Sequence, residues 1–144
     1  MNRGQDRELV LKNLEFTERC IDRMATNSFR IKAWLSSSLL FFLGLTRGDV
    51  SSWLSACVLV YIGVLWWMDS YYLRLERAYR QRYSRISKLL DEESDCQSAF
   101  SLMSLDVTTE MENNPLCECA FNKINRVFYP VSLGIVILVT FVAM

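Results

Sequence analysis

The chain has 144 residues, in which 16 Lys and Arg balance 16 Asp and Glu, and it contains no His. The absence of His excludes catalysis by a histidine base and every zinc site that needs an imidazole ligand. Hydrophobic residues make up 51% of the chain and are concentrated in three blocks. About 20 such residues cross the ~30 Å hydrocarbon core of a bilayer as a helix. The composition therefore predicts an all-α membrane protein with a single membrane domain spanning residues 1–144.

Residues 1–28 predict a cytoplasmic amphipathic helix. Val10, Leu14, Ile21 and Met24 recur at helical spacing over residues 5–26, with charged residues on the opposite face. We expect this apolar stripe to pack on the protein's own cytoplasmic helix, with a neighbouring subunit or the membrane surface as alternatives. The polar residues 26–28 interrupt the pattern and predict the cap of a new helix, because short polar side chains accept bonds from the first N–H groups.

A two-span hairpin follows, with span 1 at 29–46, a short turn at 46–49 and span 2 at 50–70. No charge occurs between Val50 and Met68, and four aromatic residues close the second span as an interfacial belt. No Gly or Pro occurs from 64 to 114, which predicts one helix from about 51 to 90. Its last third would extend into the cytoplasm and form a two-helix stalk with the N-terminal helix. The belt residues are Trp66, Trp67, Tyr71 and Tyr72.

The remaining chain predicts a cytoplasmic stalk and loop over 71–126 and a third span over 127–144. The acidic run 91–95 is expected to be a solvated loop. Apolar and polar residues alternate over 103–111, which predicts a short extended segment with one buried face. A turn at 113–115 and a short helix over 116–126 lead to the third span, with Pro130 in its first turn.

The basic residues predict the orientation. Seven of the 16 Lys and Arg lie in residues 1–32, eight in 73–126, and only Arg47 in the turn between the first two spans. The positive-inside rule then puts the N-terminus and 73–126 in the cytoplasm and the C-terminus in the periplasm. In the cytoplasm, cysteines are expected to remain thiols. For Cys117 and Cys119 we expect a packing role rather than metal binding. We expect no cofactor and no metal.

A polar cluster is predicted at the cytoplasmic face of the membrane. Asp69 follows the apolar run that ends at Trp66, where an unpaired charge is costly, so a basic partner is expected, namely Lys32, Arg30 or Arg74. The cluster has three possible roles: an ion-pair latch between the spans, a charged ring at the mouth of an oligomer, or a catalytic site. Its members are Asp69, Arg74, Glu76, Arg77, Arg30 and Lys32.

Small polar residues inside the apolar spans form a second candidate set. Residues of this size let helix backbones approach closely, and hydroxyls bond across helices. Close packing within one chain and the lining of a subunit interface or wet pore are both open. The set comprises Ser36, Ser37, Ser38, Ser51, Ser52 and Ser55.

Two segments carry a family resemblance, NSFRIKAW at 27–34 and WMDSYYLRLERAYR at 67–80. They resemble the first-span and second-span motifs of a widespread group of small bacterial membrane proteins, and the segments 104–107 and 128–130 are similar too. The layout is similar to the SLATT-like and two-transmembrane effectors of anti-phage systems. The resemblance implies oligomers that permeabilise the bacterial inner membrane when a sensor signals infection. This step from layout to function is an analogy.

Three classes of function follow. The first is an oligomeric membrane-disrupting effector, which would contact lipid, other copies of itself and a cytoplasmic sensor or signalling protein from the same operon. The second is a non-catalytic anchor for cytoplasmic partner proteins. The third, a membrane enzyme, lacks a nucleophile and base pair, and we expect no enzyme activity. No motif predicts direct binding of nucleic acid.

Overall fold

A computed structural model describes residues 3–45, 52–91 and 107–143. Within these ranges all regular secondary structure is helical, which confirms the predicted all-α class. The predicted turn at 46–49, the acidic loop beyond residue 91, Ser51 and Cys96 lie outside the described residues. The helices are α1 (Arg3–Leu45), α2 (Ser52–Asp91), α3 (Thr108–Glu112), α4 (Leu116–Ala120) and α5 (Asn125–Ala143).

Helix α1 is continuous, so the predicted break at 26–28 is wrong. Arg3–Leu45 forms one helix of 43 residues. Thr, Asn and Ser each lower helix stability by only about 0.5 kcal/mol relative to Ala, which tertiary contacts override. The Ser28 hydroxyl, predicted as a cap, instead donates to a side chain on α2.

Helix α2 confirms the prediction of one long helix, because Ser52–Asp91 is helical over 40 residues. The prediction of an extended segment is wrong over 107–112, where α3 forms, while residues 103–106 are not described. Period two would have buried Thr109 and Met111. The structure instead buries Glu110 of α3 and Asn114, which lies just beyond the helix, and the Asn114 amide donates to the Glu110 carbonyl at 2.9 Å.

The predicted helix over 116–126 is shorter than expected. Helix α4 ends at Ala120, and α5 begins at Asn125. Between them the Asn122 side chain accepts a hydrogen bond from the Lys123 N–H at 2.8 Å. Pro130 is therefore the sixth residue of α5 rather than part of its first turn.

The described residues divide into two compact units, and each long helix contributes to both. Unit 1 comprises Met1–Thr26 and Leu73–Pro115, and unit 2 comprises Asn27–Tyr72 and Leu116–Met144. In unit 1, Val10 and Leu14 of α1 pack against Ile86 of α2. Val10 and Leu14, two residues of the N-terminal stripe, therefore pack on the protein's own helix α2.

Unit 2 has a core built from α1, α2 and α5. Leu35, Ile62, Tyr129 and Val136 are fully buried in it, and Phe42 is 3% exposed. The Thr140 hydroxyl of α5 donates to the hydroxyl of Ser55 on α2 at 2.8 Å. The core of unit 2 is therefore formed by three helices that pack apolar side chains together.

Among the helices of the described residues, two are long and apolar enough to cross a membrane. They are α2, with mean hydropathy 1.4 over its most apolar window, and α5, with mean hydropathy 1.7. These correspond to two of the three predicted spans. The first predicted span, at 29–46, stays a prediction.

Leu14 and Leu11 offer a matched pair for testing the core of unit 1. Leu14 is 8% exposed and Leu11 is 52% exposed on the same helix. We expect Leu14→Ala to lower the free energy of unfolding by about 2–5 kcal/mol, because a buried cavity remains. Leu11→Ala should change it by less than about 0.5 kcal/mol. Urea unfolding of the detergent-solubilised protein, followed by circular dichroism, measures both. Equal effects would contradict the packing of unit 1.

Candidate functional site

The most deeply buried charge described in unit 2 is the carboxylate of Asp69 on α2. Its side chain is 0% exposed, and both oxygens are hydrogen-bonded to α1. The Ser28 hydroxyl donates to Oδ1 at 2.5 Å, and the Lys32 ammonium donates to Oδ2 at 2.6 Å. Lys32 also donates to the Ser28 hydroxyl at 3.0 Å, which closes a three-residue network.

This network, the Asp69 latch (Asp69, Ser28 and Lys32), fixes one register between α1 and α2. A buried carboxylate without a partner loses its hydration and gains nothing in return. Ser28 and Lys32 are four residues apart, so one face of α1 presents both donors. Sliding α1 by one residue would rotate both away from Asp69. The Lys32 side chain is 19% exposed, so its ammonium pairs with the carboxylate while part of its stem faces outward.

The structure selects one of the three predicted partners of Asp69. Lys32 is the partner, whereas Arg30 is exposed. The sequence reasoning missed Ser28 as a ligand of the carboxylate. Its position one helical turn before Lys32 was the signal that could have identified it, once α1 was known to be continuous.

Arg74 and Glu76, two other members of the predicted charged cluster, have partners of their own in unit 1. The Arg74 guanidinium donates twice to the Met111 carbonyl, at 2.8 and 3.1 Å, and so holds the end of α3. Glu76 pairs with Arg80 at 2.8 Å, one turn along α2. Arg77 is half-buried.

Aromatic side chains dock α5 beside the latch. The Trp66 ring, three residues before Asp69, stacks on Tyr129 of α5 with centroids 5.5 Å apart and planes at 12°. Its indole N–H donates to the Ala120 carbonyl at 3.1 Å. The predicted belt is thus divided: Trp66 packs inside unit 2, while Trp67 is 61% exposed.

The serine hydroxyls of the first predicted span mostly donate hydrogen bonds to main-chain carbonyls of their own helix. The Ser36 hydroxyl donates to the Lys32 carbonyl at 2.9 Å, and Ser37 donates to the Ala33 carbonyl at 3.0 Å. Ser38 lies 3.4 Å from the Tyr61 hydroxyl of α2. Ser55 takes part in close packing, as its bond from Thr140 shows. The side chain of Ser52 lies outside the described part.

A groove of about 430 Å³ runs between α1 and α5 in unit 2. Its walls are apolar except for two serine hydroxyls, and both hydroxyls bond back to their own helix. The groove therefore suits an apolar occupant. Its lining residues are Ser36, Leu39, Leu40, Leu43, Val127, Phe128, Val131, Ser132 and Ile135.

The described residues bring together no group of three or more Cys, Asp or Glu that could hold a metal ion. Cys117 is exposed and Cys119 is buried, so the two side chains of this pair lie in different surroundings. What the site offers is an internal ion pair with fixed donors. This arrangement holds helices together.

No protein-family model, curated protein or solved structure matches the chain.

The Asp69 latch predicts a strong asymmetry between Lys32 and Arg30. Lys32→Met should lower the free energy of unfolding by about 3–5 kcal/mol, because it leaves a buried carboxylate without its charge partner. Arg30→Met, two residues away on the same helix, should remain close to wild type. Thermal unfolding of the detergent-solubilised protein, and the amount of folded protein in membranes, measure both effects.

A second change tests whether the loss comes from the unpaired charge. Asp69→Asn combined with Lys32→Met should recover much of the lost stability, because no buried charge then remains. Additive losses in the double variant would contradict the pairing. Wild-type stability of Lys32→Met would remove the latch as a structural element.

Proposed function

We propose that the protein is a bacterial inner-membrane protein that oligomerises and disrupts the membrane as the effector of an anti-phage defence system. The observation that carries the membrane part of the proposal is the outer surface of unit 2. Many large apolar side chains there are exposed, while the fully buried carboxylate of Asp69 is paired with Lys32. The exposed set includes Phe29, Trp34, Leu40, Phe41, Trp53, Val60, Trp67, Val131, Ile137, Leu138, Phe141 and Val142.

An apolar exterior around a buried, paired carboxylate is the arrangement that a lipid environment favours. Phe141 is 80% exposed and Trp53 is 77% exposed, values that water would make costly for so many neighbouring residues. The aromatic residues near the ends of the helices suit the membrane interface.

A single copy has no aqueous path through unit 2. Leu35, Ile62 and Val136 fill its centre and are 0% exposed. Permeabilisation therefore requires several copies, whose contacting faces surround the path. Ser36 and Ser37 are exposed and offer the polar edge that a wet interface needs.

The defence role rests on the resemblance of the segments 27–34 and 67–80 to small multi-span effectors. In such systems a sensor encoded nearby provides the signal. Unit 1 offers the surface for it: Leu9, Leu11 and Phe16 are more than half exposed on a helix that is otherwise charged. This surface would receive a cytoplasmic partner.

The orientation predicts where reporters fused to the chain will be active. The cytoplasmic positions of the N-terminus and of 73–126 follow from 15 of the 16 basic residues. A periplasm-active phosphatase fused after Met144 should be active, and the same phosphatase fused at residue 95 should be inactive. A cytoplasm-active fluorescent protein at the same two sites should give the opposite result. The reverse pattern would contradict the orientation.

Membrane disruption predicts depolarisation during infection. Cells expressing the chain with its neighbouring genes should lose membrane potential and admit a small dye after phage challenge. Ser36→Leu with Ser37→Leu should reduce the dye entry, because two exposed hydroxyls of α1 are lost. Trp53→Leu, which keeps an exposed position apolar, is the matched control. Crosslinking in the same cells reports the oligomer.

The anchor alternative gives a different outcome in the same cells. It is favoured by the exposed Leu9 and Phe16, which a partner protein would cover. The anchor is favoured over the effector if cells are protected from phage without depolarisation. That protection should be lost in Phe16→Glu and retained in the variant that carries both Ser36→Leu and Ser37→Leu. A strictly monomeric protein throughout infection would defeat the effector proposal.

A further inference from the structure

Helix α3 is held on α2 by three polar side chains that share one face of α2. This face (the clasp face) consists of Arg74, Gln81 and Arg85, which are seven and four residues apart. Side chains at this spacing lie on the same side of a helix. Each of the three contacts a different group of the segment 107–114, which contains α3, and all of these residues belong to unit 1.

Two of the three contacts are hydrogen bonds to neutral groups. The Arg74 guanidinium donates twice to the Met111 carbonyl, at 2.8 and 3.1 Å. Gln81 and Asn114 exchange two hydrogen bonds between their side-chain amides, at 3.0 and 3.4 Å. The clasp face therefore recognises a main-chain carbonyl near the end of a short helix and an amide that follows it.

The third contact is an ion pair in which Glu110 is an imperfect ligand. The Glu110 side chain is 8% exposed, and its Oε1 lies 3.5 Å from Nη1 of Arg85. Its other carboxylate oxygen, Oε2, is buried without a hydrogen-bond partner. A carboxylate that offered both oxygens to the guanidinium in a bidentate pair would bind more strongly. A better-matched carboxylate can therefore replace Glu110 at this face.

Helix α3 has little besides these polar contacts to hold it. It has five residues, and isolated helices shorter than about 12 residues are marginal in water. Thr108, Thr109 and Glu112 are exposed, and neither apolar core cluster of the described residues includes a residue of α3. A segment with few buried apolar contacts opens at a lower free-energy cost than the whole protein. The release of α3 therefore leaves the apolar core of unit 1 in place.

The charges of the two partners are opposite. Residues 73–90 carry six Lys and Arg and a single acidic residue, Glu76. Residues 107–116 carry two Glu and no basic residue. Complementary charges of this kind direct an encounter and select against partners of the wrong sign. The ligand that suits the clasp face is therefore a short acidic helix, of which α3 is the internal example.

We propose that the clasp face is a docking site for an acidic helical segment of a partner protein, and that α3 is the internal ligand that such a segment displaces. The partner places a carboxylate at Arg85 and a helix-end carbonyl at Arg74. Displacement of α3 relieves the buried, unpaired oxygen of Glu110. The site lies within unit 1 and does not depend on the proposed membrane disruption.

Binding of a peptide that mimics α3 tests the proposal. The probe is a fluorescein-labelled peptide with the sequence of residues 105–116, and the full chain is held in nanodiscs of phosphatidylcholine, which carries no net charge. In the wild type the attached α3 competes at millimolar effective concentration. Glu110→Lys in the chain places a like charge beside Arg85 and opens the face, so the peptide should bind at least about tenfold more tightly than to wild type, as measured by anisotropy. Equal binding would overturn the proposal.

Two further changes separate the clasp face from general charge attraction. Arg85→Glu added to Glu110→Lys should abolish peptide binding, because the reversed pair docks α3 again and repels the peptide. Arg80→Glu added to Glu110→Lys makes the same change in charge at a residue that pairs with Glu76 along its own helix, and it should retain most of the binding. Equal losses in the two double variants would overturn the proposal.

Hydrogen exchange of the wild-type chain gives a measurement that does not depend on the folding of any variant. Relative to their unstructured rates, the amides of 107–115 should exchange at least about tenfold faster than those of 76–86 in α2, because α3 opens while the core of unit 1 remains packed. Equal protection of the two segments, lost together only on global unfolding, would show that α3 is not displaceable and would overturn the proposal.

Discussion

The fold of unit 2 depends on how one buried carboxylate is satisfied. Asp69 lies on a helix that is apolar for most of the two turns before it, and it is completely excluded from solvent. Leaving such a charge unpaired would cost several kcal/mol. Ser28 and Lys32 meet this demand from α1, where they lie one helical turn apart and present both donors on one face. The register of α1 on α2 follows from this constraint.

The third helix joins this arrangement through aromatic and polar contacts. Trp66 stacks on Tyr129 and donates to Ala120, so the chain leading into α5 is held at the level of the latch. Unit 1 is held together by different polar contacts. There Arg74 donates to a main-chain carbonyl, and Gln81 and Asn114 exchange amide hydrogen bonds. A charged side chain thus holds a short helix without needing a buried counter-charge.

These features bear on function through what each surface can contact. Unit 2 presents many apolar side chains outward and buries the paired carboxylate of Asp69, an arrangement that suits contact with lipid. Its filled core, including Leu35 and Ile62, makes a conducting monomer physically implausible, so any permeabilising state must be built between copies. Unit 1 exposes Leu9 and Phe16, a surface that suits a protein partner. The effector and the anchor use these same two surfaces and differ in what happens between copies.

The sequence by itself determined the all-α class, the long helix over α2, the apolar character of α5 and the need of Asp69 for a basic partner. The helices follow from local periodicity. The need for a partner follows from the cost of an unpaired charge, which the apolar residues before Asp69 indicate. Only the tertiary structure chose Lys32 over Arg30 and Arg74 and recruited Ser28. It also replaced the predicted extended segment by α3 and turned Trp66 inward. Each of these depends on residues far apart in the chain, because the partner that satisfies a buried group is decided by which helices pack together.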